Sequence, residues 1–260
     1  MAIKLIASDL DGTLLLNGAQ DLRPDTCGYI RQLSEMGVIF FAASGRQYYN
    51  LQNLFAPVKD LIGYICENGC VSFFRGERLS KSTMNRQTAR EIIRGILRHG
   101  ACEVMASCEE VCYIQPKNEA FHLHIRDTVK YNVWAVPDIL AVEEDYLKIA
   151  VYEHDGNTDF RHWQENFGTS CDVVTSGREW IDFMPHGVNK GSALRHVLDV
   201  LGISPSECMA IGDNDNDREM MELAGYPVAV VSAKPQIRAL AEIETDTVEN
   251  LMLRIIQGRL

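Results

Sequence analysis

Short, mainly apolar runs recur along the chain: IKLIAS (3–8), VIFFAA (38–43), YIC (64–66), CMAIG (208–212) and PVAVV (227–231). Each has the length of a strand and no polar alternation, as expected where both faces of the strand are buried. Between them, apolar residues fall at helical spacing over Pro24–Met36, over a stretch running to Phe55, and over Lys190–Leu201, 215–224 and 247–257. Buried strands alternating with helices predict an α/β fold with a doubly wound (Rossmann-like), mainly parallel sheet.

The pattern changes in the middle of the chain. After ENGCVSFF a helix is predicted over Arg86–His99, then strands around Cys102–Met105 and Cys112–Gln115. YLKIAVYEH (146–154), a helix near Asp159–Phe167, and the strands CDVVT and WIDFMP follow. Strands outnumber helices here, which suits a partly antiparallel sheet in an α+β layer. The alternating pattern returns from Asn189. Residues 84–186 are therefore expected to form an α+β domain inserted into a core made of 1–83 and 187–260. No repeat, low-complexity segment or Gly/Ser linker interrupts this scheme.

Composition narrows the partners. Hydrophobic residues make up 46% and charged residues 23% of the chain, as in ordinary soluble domains. The net charge of −11 argues against nucleic-acid polymers, which require a basic footprint. An anionic substrate would need locally placed cations. No apolar run approaches a membrane span, so no membrane partner is expected. The opening MAIKLIASDLDG turns acidic too early for a signal-peptide core, so a cytoplasmic protein is expected. The eight cysteines then read as reduced thiols. Cys66/Cys70 and Cys108/Cys112 lack the paired Cys-x-x-Cys spacing of a zinc site, which favours core positions.

The chemistry lies where the apolar runs end. Asp9 and Asp11 follow the first, in DLDGTLL; taken alone, Asp-Gly is ordinary turn chemistry. AASGR (42–46) ends the second, where Ser44 is either an N-cap or, with Gly45 and free backbone N–H groups, an anion cradle. GDNDND (212–217) follows a later strand. It resembles a calcium loop but has Arg218 and Ala224 where that loop requires glycine and glutamate. Acids that follow a strand and lead into a helix suit an open Mg²⁺ site. Ligands of a parallel sheet gather at the carboxyl ends of its strands, and three polar clusters at such ends make one site. Lys190, opening a helix in NKG, would balance their charge.

DLDGTLL, AASGR, NKGSAL and GDNDND, in this order and at these separations, resemble the four motifs of the haloacid dehalogenase superfamily. The insert of roughly a hundred residues resembles the large cap of its Cof-type, class IIB sugar-phosphate phosphatases. The resemblance implies a Mg²⁺-dependent phosphatase acting on small phosphorylated metabolites, with sugar phosphates foremost. By position it implies that Asp9 is the nucleophile and Asp11 the general acid and base. Ser44, Gly45, Arg46, Lys190 and Asn216 would hold the phosphate, with Lys190 also orienting Asp9. Asp9, the Asp11 carbonyl, Asp213 and Asp217 would serve the metal, and the inserted domain would select substrate. Phosphoryl transfer needs in-line positioning and charge neutralisation, and these residues offer both. A phosphotransferase or phosphomutase would use the same intermediate, and a catalytically silent phospho-ligand sensor would need neither Asp9 nor Asp11. FHLHI (121–125), read as a strand, would place His122 and His124 on one face, where a metal pair is the disfavoured reading. Trp134, Trp163 and Trp180 are expected in the core of the insert.

Overall fold

The computed structural model describes residues 3–154, 159–175 and 179–260. In chain order its elements begin with β1 (Leu5–Ser8), α1 (Thr26–Glu35), β2 (Ile39–Ala43), α2 (Tyr48–Leu54), β3 (Gly63–Cys66), β4 (Val71–Phe74) and β5 (Glu77–Lys81). There follow α3 (Arg86–Arg98), β6 (Cys102–Ser107), β7 (Cys112–Ile114), α4 (Glu119–Leu123), β8 (Val133–Ala135), β9 (Lys148–Glu153) and α5 (Phe160–Phe167). Next come β10 (Asp172–Thr175), β11 (Trp180–Met184), α6 (Lys190–Leu201) and β12 (Cys208–Gly212). The last are α7 (Arg218–Leu223), β13 (Tyr226–Val230), α8 (Pro235–Arg238), β14 (Ile243–Thr245) and α9 (Val248–Ile256). No helix among the described residues is long and apolar enough to cross a membrane.

Two compact units emerge. The first comprises Met1–Arg46, Leu51–Ser80 and Asn189–Leu260; the second comprises Gln47–Asn50 and Lys81–Val188.

The first unit carries a sheet in the order β14-β13-β12-β1-β2-β3-β4-β5. From β14 to β3 every pairing is parallel, and β4 turns back antiparallel on β3. Leu5, Ala7, Phe41, Ala43, Cys208, Ala210 and Ala229 face a cluster from α6, α7 and α8 built on Leu194, Val197, Met220, Met221 and Ile237. Their alternates Ile6, Phe40, Met209 and Val228 are equally buried, as the two-residue side-chain period of a strand requires. On that side α1 packs beside β2 and α9, tied to α9 by Thr26 Oγ1 donating to Glu249 Oε1 at 2.6 Å. Helices on both faces explain the unbroken apolar strands: neither face meets water. The β3–β4 hairpin was not legible as two strands, because its turn, Glu67-Asn68-Gly69, runs through left-handed backbone at all three residues.

The second unit is a sheet in the order β10-β11-β9-β6-β7-β8, antiparallel except for β7 with β8. Val104, Ala106, Ile149, Val151, Ile181 and Phe183 pack against Ile92, Ile93 and Ile96 of α3 and Trp163 of α5. The other face meets Phe121 and Ile125 through Met105, Ile114 and Ala150. Two readings of the sequence are corrected here. FHLHI is helical: Asn118 caps α4 by accepting from Phe121 N at 3.0 Å, and a π-turn, His124–Thr128, follows. Two residues apart on a helix is about 200° of rotation, so His122 and His124 point to different sides and do not form the pair a strand would make. Trp163 is core, but Trp134 lies on the edge strand β8 and is 58% exposed. The eight cysteines are free, all buried except the half-buried Cys27.

Candidate active site

The adjacency of β12, β1 and β2 brings three polar clusters together in the first unit. Ser8 pairs with Ala42 on one side and Ile211 on the other, so Asp9, Ser44 and Asp213 leave the sheet at the same edge. Asp9 N donates to Ile211 O at 2.9 Å, and Ser44 N to Ile65 O at 2.8 Å, extending the ladder into the loops.

Lys190 is the centre of the site. It is the first residue of α6, fully buried, and its Nζ donates to Asp9 Oδ1 at 2.5 Å and to Asp217 Oδ1 at 2.7 Å. The helix start that positions it is held by a capping box, with Asn189 Oδ1 accepting from Ser192 N and Ser192 Oγ accepting from Asn189 N. The Gly69 turn lies against it. A Cβ at Gly69 would stand 2.3 Å from Asn189 O, and its φ of +106° also demands glycine.

Carboxylates surround the ammonium. Oxygens of Asp9, Asp213 and Asp217 lie within 4.8 Å of one another. Thr13 Oγ1 donates to Asp213 Oδ1 at 2.9 Å. Asp217 Oδ2 accepts from the backbone N–H of Asp213 and Asn214, both at 3.0 Å. With Oδ1 on Lys190, both Asp217 oxygens are engaged. Asp217 therefore shapes the loop that presents Asp213. Gly12 permits the close approach from the other side: a Cβ there would stand 2.4 Å from Asp213 Oδ2, and its φ is +96°.

Burial pushes the Asp9 carboxyl well above the usual carboxylate range, and the neighbouring Asp217 charge adds to the rise against the opposing pull of Lys190. Burial likewise raises Asp213, although the Thr13 hydrogen bond favours its ionised form. Burial opposes the Lys190 ammonium, but Asp217 and Asp9 outweigh it and raise its pKa. One ammonium thus faces three carboxylates. The excess negative charge and the hard oxygen donors of Asp9, Asp213 and Asp217 fit a divalent cation.

Asp11 stands apart from that trio. Its carboxylate, 54% exposed, takes a guanidinium fork from Arg46: Nε to Oδ2 at 2.9 Å and Nη2 to Oδ1 at 2.5 Å. Ser44 is buried and its Oγ accepts from Arg46 N at 3.2 Å. Asn216 Nδ2 donates to Asn68 Oδ1 at 3.3 Å, and the Asn68 amide lies against Gly45. Asp215 points elsewhere, bound by Lys234 Nζ at 2.7 Å and Gln236 Nε2 at 3.0 Å, and the Lys234 contact, then Gln236, holds its pKa below the usual range.

Asp9, Asp11, Ser44, Gly45, Arg46, Lys190, Asp213, Asn216 and Asp217 are thus found along one edge of the first unit's sheet. Thr13 and Asn68 were not predicted. Thr13 sits inside DLDGTLL, and ENG is a fourth polar, glycine-containing cluster after a strand, β3.

Comparison with known proteins bears on this geometry. The family model of haloacid dehalogenase-like hydrolases matches residues 6–251. An Escherichia coli protein, 5-amino-6-(5-phospho-D-ribitylamino)uracil phosphatase YbjI, is 26% identical over 244 residues, covering 93% of this chain and 90% of its own. A solved structure from Eubacterium rectale superposes with a TM-score of 0.87 at 30% identity, covering 100% of both chains. The HAD subclass IIB sugar phosphatase BT4131 superposes with a TM-score of 0.80 at 21% identity, covering 99% of this chain and 100% of its own. The chain belongs to the haloacid dehalogenase-like hydrolase family and has the fold of its Cof-type, subclass IIB members.

Proposed function

We propose that this hydrolase is a phosphatase of small phosphorylated metabolites, sugar phosphates foremost, working through an aspartyl-phosphate on Asp9. The observation that carries the reading is the buried Lys190 bridge between Asp9 and Asp217, with Asp213 alongside, at the carboxyl end of β1. A carboxylate that burial and a like charge raise is a poor resting anion, and it becomes a competent nucleophile when cations surround it. Lys190 supplies one such cation and also fixes the carboxylate by its short hydrogen bond. Asp9 and Asp213 would hold Mg²⁺, which when bound supplies charge neutralisation for the phosphoryl group. Ser44, Gly45 and Asn216 line the same edge and offer a hydroxyl and N–H donors to phosphoryl oxygens. Asp11, two residues after the nucleophile, is the group to protonate the leaving oxygen and then take a proton from water.

The second unit, within which 84–186 were expected as an insert, contributes none of these groups, and we assign it the selection of substrate. The names of the relatives support the substrate class: one acts on a phosphorylated ribitylaminouracil and another is a sugar phosphatase. The test is release of inorganic phosphate from a panel of phosphorylated metabolites, with Mg²⁺ or EDTA and with or without acceptor sugars. Turnover with Mg²⁺ that stops in EDTA and needs no acceptor is expected. Full turnover in EDTA, or release only with an acceptor, would contradict the reading.

A further inference from the structure

We propose that Arg46 is a positioning residue that clamps Asp11 at rest and exchanges onto the phosphoryl group when substrate binds, so that the anion itself frees Asp11. The proposal rests on the phosphatase reading above and adds to it a coupling between phosphate binding and the acid–base group.

The fork occupies both Asp11 oxygens. In that pose each oxygen accepts from the guanidinium. Both main chains are fixed. Arg46 N donates to Ser44 Oγ and Arg46 O accepts from Glu67 N at 3.1 Å. The Asp11 turn is closed by Gly12 N to Leu15 O at 3.0 Å and by Leu15 N to Leu10 O at 2.7 Å. Exchange is therefore a matter of side-chain rotation alone. Asp11 is more than half exposed, so solvent can take over its carboxylate as the guanidinium leaves. A guanidinium fork fits a phosphate as well as a carboxylate, and a phosphate carries the larger charge. Arg46 is also next to Ser44 and Gly45, the anion cradle of the same edge. Lys190 takes no part, being engaged by Asp9 and Asp217.

A static strut and an exchanging clamp differ in how Asp11 affects phosphate binding. In a clamp, Asp11 competes with phosphate for Arg46. A double-mutant cycle on the Kd of inorganic phosphate, measured with Mg²⁺ on the full chain, reads this directly. Arg46→Ala is expected to weaken phosphate binding about tenfold. Asp11→Asn is expected to tighten it about threefold when Arg46 is present, by releasing the fork. In the Arg46→Ala background that gain should vanish. Arg46→Lys keeps the charge without the fork, and should recover part of the affinity. An unchanged Kd in Arg46→Ala, or an equal Asp11→Asn gain in both backgrounds, overturns the clamp while leaving the phosphatase reading intact. A wild-type protein that neither binds phosphate nor releases it from any ester overturns both.

Discussion

Lys190 and Asp9 play opposite parts in stability although they are bonded to each other. Lys190 is the only ammonium within hydrogen-bond reach of Asp9 and Asp217 among the described residues. Removing it strands two buried carboxylates, and loss of one partner of a buried pair typically costs about 3–5 kcal/mol. Lys190→Met is expected to lower the urea midpoint accordingly. Asp9 is the group that burial and Asp217 already push toward its neutral form. Asp9→Asn leaves Lys190 paired with Asp217 and removes a repelled charge, so its midpoint should match or exceed the wild type while turnover is lost. A large loss of stability in Asp9→Asn would contradict this division. At this scale the sequence was informative: each acid and the lysine could be named from its motif. What it did not disclose was the state of each. Asp11 in the fork of Arg46, Asp217 saturated by Lys190 and two backbone N–H groups, and Asp215 turned to Lys234 depend on contacts up to 35 residues distant or on local loop geometry.

At the scale of elements, strand order does the assembling. Because β12, β1 and β2 are neighbours and in register, residues about 200 apart in sequence share one edge. The loop after β3 completes that edge through Asn68 and supports α6 through Gly69. Gly69→Ala would meet both a left-handed φ and the Asn189 carbonyl, and backbone strain of this kind costs about 1–3 kcal/mol. Thermal unfolding should register that loss. Turnover should fall with it, since the start of α6 carries Lys190. A Gly69→Ala protein with wild-type stability and turnover would show that α6 is positioned some other way. Continuous apolar runs between helical stretches made the parallel strands readable. The hairpin of β3 and β4 escaped because its left-handed turn has no apolar signature. FHLHI misled for a related reason: five residues are too few to separate a two-residue period from a helix, and the decisive cue was the capping Asn118 in front of it.

The molecule as a whole is acidic, with a net charge of −11, and its site concentrates that excess. Asp9 and Asp213 both have raised carboxyls when folded. At these two sites the folded chain therefore binds more protons than the unfolded one as pH rises past the ordinary carboxylate value of about 3.9, and their contribution to stability falls through that window. Above the raised values the carboxylates are ionised and their repulsion is fully felt. Lys190, with its raised pKa, stays charged throughout. A bound divalent cation offsets the repulsion, so Mg²⁺ should raise Tm more near about pH 7.5 than near about pH 4.5. Equal shifts at both values would indicate that the cation binds elsewhere.

The central claim is that Asp9 carries the phosphoryl group, and the most direct measurement is acid-quenched labelling of the protein. A substrate bearing a labelled phosphoryl group, mixed with the full chain and Mg²⁺ and quenched within the first turnover, should leave label on the protein. The label should be acid-stable, released by hydroxylamine as an acyl phosphate is, and mapped to the peptide containing Asp9. Asp9→Asn should carry none, because an amide cannot form the acyl phosphate. Label retained in Asp9→Asn, or phosphate released by the wild type with no protein-bound label at any quench time, would contradict the mechanism.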